Sequence, residues 1–327
     1  MDRRPINLAF VGTGGWARSK HFPALGHLLA HPDVLPGVEL NLQGLYSLEQ
    51  ETAEAVAADY GFGRVYQSLD ALMCDDAVNA IAVAVLPEAT ASVVSRLAAR
   101  HVPILSEKPP GVTLAEAQQL AEVTSVPNLV AFNRRFAPLN NQFRDLIGTM
   151  PDIAFVEGHF LRYERHDPAF MVHTAIHWIN FMEYVFGDIV EVSADAFHDP
   201  ASATLNAVAH VTFAGGLKGM LKVIPCSGSE AERLEVHSAG QSVYFTGPYG
   251  DETGQITVER NGVCEKVVPV VEPTSPEIVR IGIVGEYVEF LTLTCAGRPV
   301  RSTFQNAVNS LRVAEAMQRE GEGTRTW

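Results

Sequence analysis

Short apolar runs alternate with helix-spaced segments along the first third of the chain. Residues 6–11 read as a short buried strand, 38–46 as a longer one, and 79–85 as a third, unusually pure in Ala, Ile and Val. Residues 103–106 and 128–132 complete the set, and 15–30, 49–60, 88–101 and 114–123 between them carry helical periodicity. Thr113 and Glu116 have the spacing of a capping box, in which each side chain satisfies the other's free backbone N–H. Strands interleaved with helices in this way predict right-handed βαβ units and a doubly wound parallel sheet.

After about residue 132 the rhythm changes. Residues 153–163 read as a long strand and 173–186 as a helix, and 189–271 as mostly strands. Turns fall at Ala214-Gly215-Gly216, Ala239-Gly240 and Asn261-Gly262, the last a strong hairpin signal because a type I′ turn wants positive φ at both central positions. Two further helices are expected at about 276–295 and 303–319. Grouped strands predict an α+β domain with a mostly antiparallel open sheet and helices on one face. The expected domains are 1–133 and 134–327, with the boundary near 133–138. A chain of 327 residues is long enough for two cores.

Charge and composition exclude several function classes. The formal net charge is −14, with no basic stripe to offset it, so nucleic acid is not an expected partner. Cys74, Cys226, Cys264 and Cys295 are far apart, which fits neither a zinc site nor a disulfide framework and points to a reducing compartment. The segment 1–10 holds two arginines, but its apolar run meets glycines almost at once and no small-residue cleavage site follows. No run approaches a membrane span; even 281–296 carries Glu286 and Glu289. A cytoplasmic protein without a secretory leader or membrane partner is therefore expected.

The chemistry begins where the first strand ends. Gly12-Thr13-Gly14-Gly15-Trp16-Ala17 follows that strand directly and opens the first helix. The first Gly permits a tight turn and the second lets the backbone approach a pyrophosphate; the small Ala17 lets helix and strand pack closely. Free N–H groups at the helix start complete a dinucleotide site of the Rossmann kind. The second strand ends Leu45-Tyr46-Ser47, without the acid that usually binds the adenosine ribose. Ser47 can bond a hydroxyl or a 2′-phosphate. NAD and NADP both stay open, and the missing acid tilts the choice towards NADP.

Three further motifs share one order. Ser106-Glu107-Lys108-Pro109 ends the fourth strand, Asn133-Arg134-Arg135-Phe136 follows the fifth, and His173-Thr174-Ala175-Ile176-His177 begins a helix. With the glycine loop, this set resembles the glucose–fructose oxidoreductase/inositol dehydrogenase/rhizopine-catabolism family, Gfo/Idh/MocA, over nearly the whole chain. The resemblance implies an NAD(P)-dependent dehydrogenase or reductase acting on the CH–OH group of a sugar, polyol or derivative. It also implies a homodimer or homotetramer using the open sheet. It places Pro87, Glu107 and Lys108 in the cofactor site, with Lys108 beside the nicotinamide ribose and the reacting hydroxyl, and makes His177 the acid/base. His173 stands where the family has an aspartate and Ala175 where it has a glycine. Pro87 is followed by Glu88 rather than Asn, and Ala91 takes a common His position.

Hydride transfer at an alcohol carbon also requires moving the hydroxyl proton, which suits a histidine, and a lysine ammonium would stabilise developing alkoxide character. Both groups are expected at the carboxyl ends of the parallel strands. His173, His177, Asn180 and Tyr184 share one helical stripe, read as a site lining or a buried hydrogen-bond network, with Ile179, Met182 and Phe186 opposite. Arg135, Arg162 and Tyr163 are further candidates to line a substrate pocket. The i, i+4 histidines also suggest a metal, with His166 and Asp167 the only extra ligands nearby, but no Glu occupies the second position of the motif and no metal is expected. Two other functions fit the same residues: a non-catalytic dinucleotide or sugar sensor, and a nicotinamide-assisted glycoside hydrolase or lyase with no net redox change.

Overall fold

The computed structural model describes residues 3–249, 253–267, 269–319 and 325–327. Residues 250–252 and 268 of the strand-rich stretch, and the first two residues of the N-terminal segment, lie outside it. Two compact units emerge: residues up to Asn133 together with Gly282–Val308, and Arg134–Ile281 together with the chain from Asn309 onward.

The first unit is built on a parallel sheet. Strands β1 (Arg4–Val11), β2 (Val38–Tyr46), β3 (Ala80–Val83), β4 (Ile104–Ser106) and β5 (Asn128–Val130) run in the order β2-β1-β3-β4-β5. Strand order reverses between β1 and β3, which makes their carboxyl ends the switch point where such sheets bind ligands. Leu8, Phe10, Ile81 and Leu105 are fully buried, as expected of strands covered by helices on both faces. Helices Phe22–Ala30, Gln50–Tyr60, Pro87–Ala98 and Leu114–Val123 supply that cover. Thr113 and Glu116 form the expected capping box. A short helix, Leu69–Met73, escaped the periodicity because it is barely one turn long; the Ser68 hydroxyl caps it by accepting the Ala71 N–H.

The second unit holds a nine-stranded sheet. Its strands are β6 (Ile153–Leu161), β7 (Ile189–His198), β8 (Leu205–Phe213), β9 (Lys218–Ile224), β10 (Ala231–Ser238), β11 (Gln241–Thr246), β12 (Gln255–Arg260), β13 (Val263–Val267) and β14 (Arg325–Thr326). They lie in the order β13-β12-β11-β10-β6-β9-β8-β7-β14, antiparallel throughout except for the parallel β6–β9 pair. Asn261 and Gly262 both have positive φ, the geometry their sequence demands. Helix Ile176–Phe186 crosses β6 at Gly158, where an added Cβ would lie 2.6 Å from Met182 Sδ. Trp178, Phe181, Phe143 and Phe245 pack around that crossing. This is the α/β class with a mostly antiparallel second sheet that the hydrophobic pattern predicts.

Two expectations change. Residues 276–295 are not one helix: Gly282, at φ +91°, separates Glu277–Arg280 from Ile283–Thr292. Residues 282–308 do not join the second domain either. Helix Ile283–Thr292 packs on helix Phe22–Ala30, and Ser302 accepts the Val130 N–H at 2.8 Å, so this segment returns to the parallel sheet. Helix Pro138–Ile147, to which the sequence pattern assigns no element, has Pro at its first turn, and Leu139, Phe143 and Ile147 form its buried stripe.

Candidate functional site

In the first unit the glycine loop leaves β1 as its motif requires. Gly12 has φ +104°, its N–H donates to the Tyr46 carbonyl at 2.8 Å, and an added Cβ would lie 2.2 Å from the Ala84 carbonyl oxygen just past β3. Only glycine fits there. Gly14 and Gly15 are different: both are exposed, and a Cβ on either would meet no atom within 4 Å. That open surface at the start of a helix, with Ala17 buried behind it, is a cradle of the right kind for a pyrophosphate. The helix begins as a wide π turn, Ala17–His21, before tightening into Phe22–Ala30.

Thr13 is buried and donates its hydroxyl to Ser47 Oγ at 2.7 Å, which ties the loop to the residue after β2. Ser47 is itself buried, beside exposed Leu48. Pro87 opens its helix next to exposed Leu86. Lys108, half-buried, follows β4 and precedes a cis peptide to Pro109.

Glu107 connects these parts. Its Oε1 accepts from the Trp16 indole at 2.8 Å and lies 2.9 Å from His21 Nε2, and its Oε2 accepts the Lys108 N–H at 3.1 Å. Burial pushes this carboxyl up, but the His21 hydrogen bond, the charges of His21 and Lys108, and the Trp16 donor outweigh it and hold Glu107 below the usual range. His21, Glu107 and Glu286 also bring one ligand atom each within 4.8 Å of one another. Within this group, His21 Nε2 and Glu107 Oε1 already hydrogen-bond each other.

In the second unit, His173 and His177 sit at the head of helix Ile176–Phe186. His173 Nδ1 lies 3.2 Å from Asp167 Oδ2, and His177 is buried. Further along the stripe the site reading gives way to a network. Asn180 is fully buried; its Oδ1 accepts from Arg135 Nε at 2.5 Å and its Nδ2 donates to Ser310 Oγ at 2.8 Å. Ser310 in turn donates to buried Glu183, which also accepts from Asn309. Tyr184 lies under the Arg135 and Arg144 guanidinium groups. Arg162, a pocket candidate in the sequence, is instead buried with Arg134 against Glu232, because two guanidinium groups let that carboxylate stay charged without water. Tyr163 is 54% exposed and donates to Glu164.

Two domains of one known family match the chain. The oxidoreductase family with an NAD-binding Rossmann fold matches residues 6–131, and the GFO/IDH/MocA C-terminal domain matches 149–243. The chain belongs to the Gfo/Idh/MocA family. Among relatives, it is 24% identical over 212 residues to the uncharacterized protein YMR315W of Saccharomyces cerevisiae, covering 58% of each chain. It is 32% identical over 137 residues to the uncharacterized oxidoreductase C26H5.09c of Schizosaccharomyces pombe, covering 40% of this chain and 35% of that one. The chain thus spans 58% and 35% of these relatives' lengths. Levoglucosan dehydrogenase in complex with NADH shares the fold at a TM-score of 0.80 and 17% identity, covering 96% of both chains.

In this Gfo/Idh/MocA chain, local sequence patterns miss several partners of the candidate site residues: His21, Asp167, Glu183, Tyr287 and Ser310 belong to no motif. One signal was available for His21: it lies on the same helical face as Ala17, Leu25 and Leu28, all buried, where a polar side chain demands a partner. Among the described residues, no helix is long and apolar enough to cross a membrane.

Proposed function

We propose that this protein is an NAD(P)-dependent dehydrogenase or reductase acting on a CH–OH group of a sugar, polyol or derivative. The observation that carries the reading is Glu107, which joins the glycine loop, through Trp16, to the backbone of Lys108. Gly12, Thr13, Gly14, Gly15, Trp16 and Ala17 hold the dinucleotide phosphates, with Ser47 and Pro87 at its flanks. When bound, the nicotinamide supplies or accepts the hydride. Lys108 presents its ammonium to the substrate oxygen and steadies the negative charge that grows there. His177 takes or returns the hydroxyl proton, and Arg135 helps frame the substrate side. The lack of an acid after β2 favours NADP over NAD.

A second assignment of the proton carrier has its own support. His173 has a carboxylate on Nδ1, the arrangement that fixes a tautomer and leaves the other ring nitrogen to exchange a proton. The cytoplasm, where four free thiols persist, is the proposed compartment. A homodimer or homotetramer is the proposed assembly, to be read by light scattering. The deciding experiment is a screen of sugars and polyols with NAD and NADP, following reduced-nicotinamide absorbance together with products. Substrate-dependent cofactor reduction supports the reading. Product formation without net reduction would replace it with nicotinamide-assisted hydrolysis or elimination, and cofactor binding without any turnover would leave a sensor.

A further inference from the structure

We propose that His21, itself held by Tyr287, positions Lys108 by fixing the Glu107 carboxylate, and that the same carboxylate sets Trp16 in the glycine loop. The proposal rests on the reading of Lys108 as the group that meets the substrate oxygen.

Both ring nitrogens of His21 are engaged, although its side chain is wholly buried. Nε2 lies 2.9 Å from Glu107 Oε1, and Nδ1 lies 2.9 Å from the Tyr287 hydroxyl. Burial first, then the charges of Glu286 and Glu107, hold the Tyr287 hydroxyl well above its ordinary range, so it keeps its proton. Because an ionised carboxylate only accepts, His21 Nε2 carries its proton towards Glu107. Tyr287 anchors the other ring nitrogen and so holds the imidazole in place for that bond.

Glu107 divides its two oxygens between two loops. Oε1 takes His21 and the Trp16 indole; Oε2 takes the Lys108 main-chain N–H. Its own N–H is tied to the Val83 carbonyl at the end of β3. A buried carboxylate this short of water keeps its charge and place only while its donors stay. Removing His21 takes away the one donor that also has a second anchor, in Tyr287. Glu107 then either takes up a proton, losing acceptor strength towards Lys108 and Trp16, or shifts. Tyr287 comes from the segment that returns to the first unit late in the chain, which gives that return a functional reason.

The test compares wild type, His21→Leu, His21→Gln and Tyr287→Phe as full chains. Hydrogen–deuterium exchange is followed over residues 105–112 and 12–18, with melting temperature and circular dichroism as folding controls. In His21→Leu, exchange over 105–112 should accelerate roughly ten-fold, the scale of one lost charge-assisted hydrogen bond. Tyr287→Phe should shift it in the same direction by less, and His21→Gln, whose amide can still donate to Glu107, should restore part of the loss. With an accepted sugar, kcat should fall in step with exchange while KM for the sugar stays put. Unchanged exchange over 105–112 in both folded variants would overturn the proposal; if His21→Leu does not fold, Tyr287→Phe decides alone. A wild type that turns over no sugar defeats the reading of Lys108, yet the exchange result still stands or falls by itself.

Discussion

Asp167 Oδ2 lies 3.2 Å from His173 Nδ1, so a carboxylate from the preceding loop stands beside the first of the two histidines at the head of the helix. If His173 only orients its surroundings, Asp167→Asn should cost little turnover and His177→Ala should remove most of it. If His173 carries the proton, Asp167→Asn disrupts its tautomer and should cost roughly 10²-fold or more in kcat, because general acid–base catalysis is worth that much. The pair of kcat values, each measured over pH 5 to 8 where an ordinary histidine changes charge, separates the two.

Gly12 and Gly14 should respond in opposite ways to a side chain. Gly12→Ala drives a Cβ against the Ala84 carbonyl at a φ that L residues avoid, and should lower stability by several kcal/mol, roughly 3 or more. Gly14→Val adds atoms only to open surface. Its melting temperature without nucleotide should match wild type, while the rise expected of wild type with NADPH or NADH should vanish. Wild-type nucleotide stabilisation in Gly14→Val would remove the phosphate cradle from this loop.

Lys108→Met should keep the fold and the nucleotide-induced rise in melting temperature. Turnover should fall by roughly 10²-fold or more, the usual scale for losing a group that stabilises transition-state charge. Near-normal turnover would return Lys108 to the role of a loop cation.

The legible parts of this protein are its local ones. A βαβ rhythm, a glycine loop that must turn at Gly12, a capping box and a type I′ hairpin all declare themselves within a few residues. What stayed hidden depends on contacts between distant segments. His21 meets Glu107 across 86 residues and Tyr287 across 266, and no periodicity reports that. The stripe of His173, His177, Asn180 and Tyr184 was visible as a stripe. That its Asn180 end belongs to a hydrogen-bond network depended on Ser310, contributed from 130 residues further on. Asp167 was noticed only as a possible metal ligand, because a carboxylate in an irregular loop has no fixed direction until the loop is built.

Glu183 should make the stability of this protein fall as pH rises towards neutrality. Burial pushes its carboxyl up to about 7, against the opposing hydrogen bonds of Ser310, Asn309 and the Ile189 N–H and the charge of Arg135. In the unfolded chain the same group loses its proton near its ordinary value of 4.5. Between these values the folded state binds more protons than the unfolded one, so stability is greatest at the acidic end of the window and declines until about pH 7, then levels off. A gap of this size is worth on the order of 3 kcal/mol. Glu107 and Glu232, both held below their usual range, act in the opposite sense and only at lower pH, where their stabilising charge is lost. Glu183→Gln keeps the shape and has no proton to lose. Its stability, measured by urea unfolding from pH 5 to 7.5, should lack the decline expected of wild type, and the difference between the two curves isolates Glu183 from every other titrating group. Parallel curves across that range would mean that Arg135, Asn309 and Ser310 already compensate the buried charge, and that Glu183 stays ionised throughout.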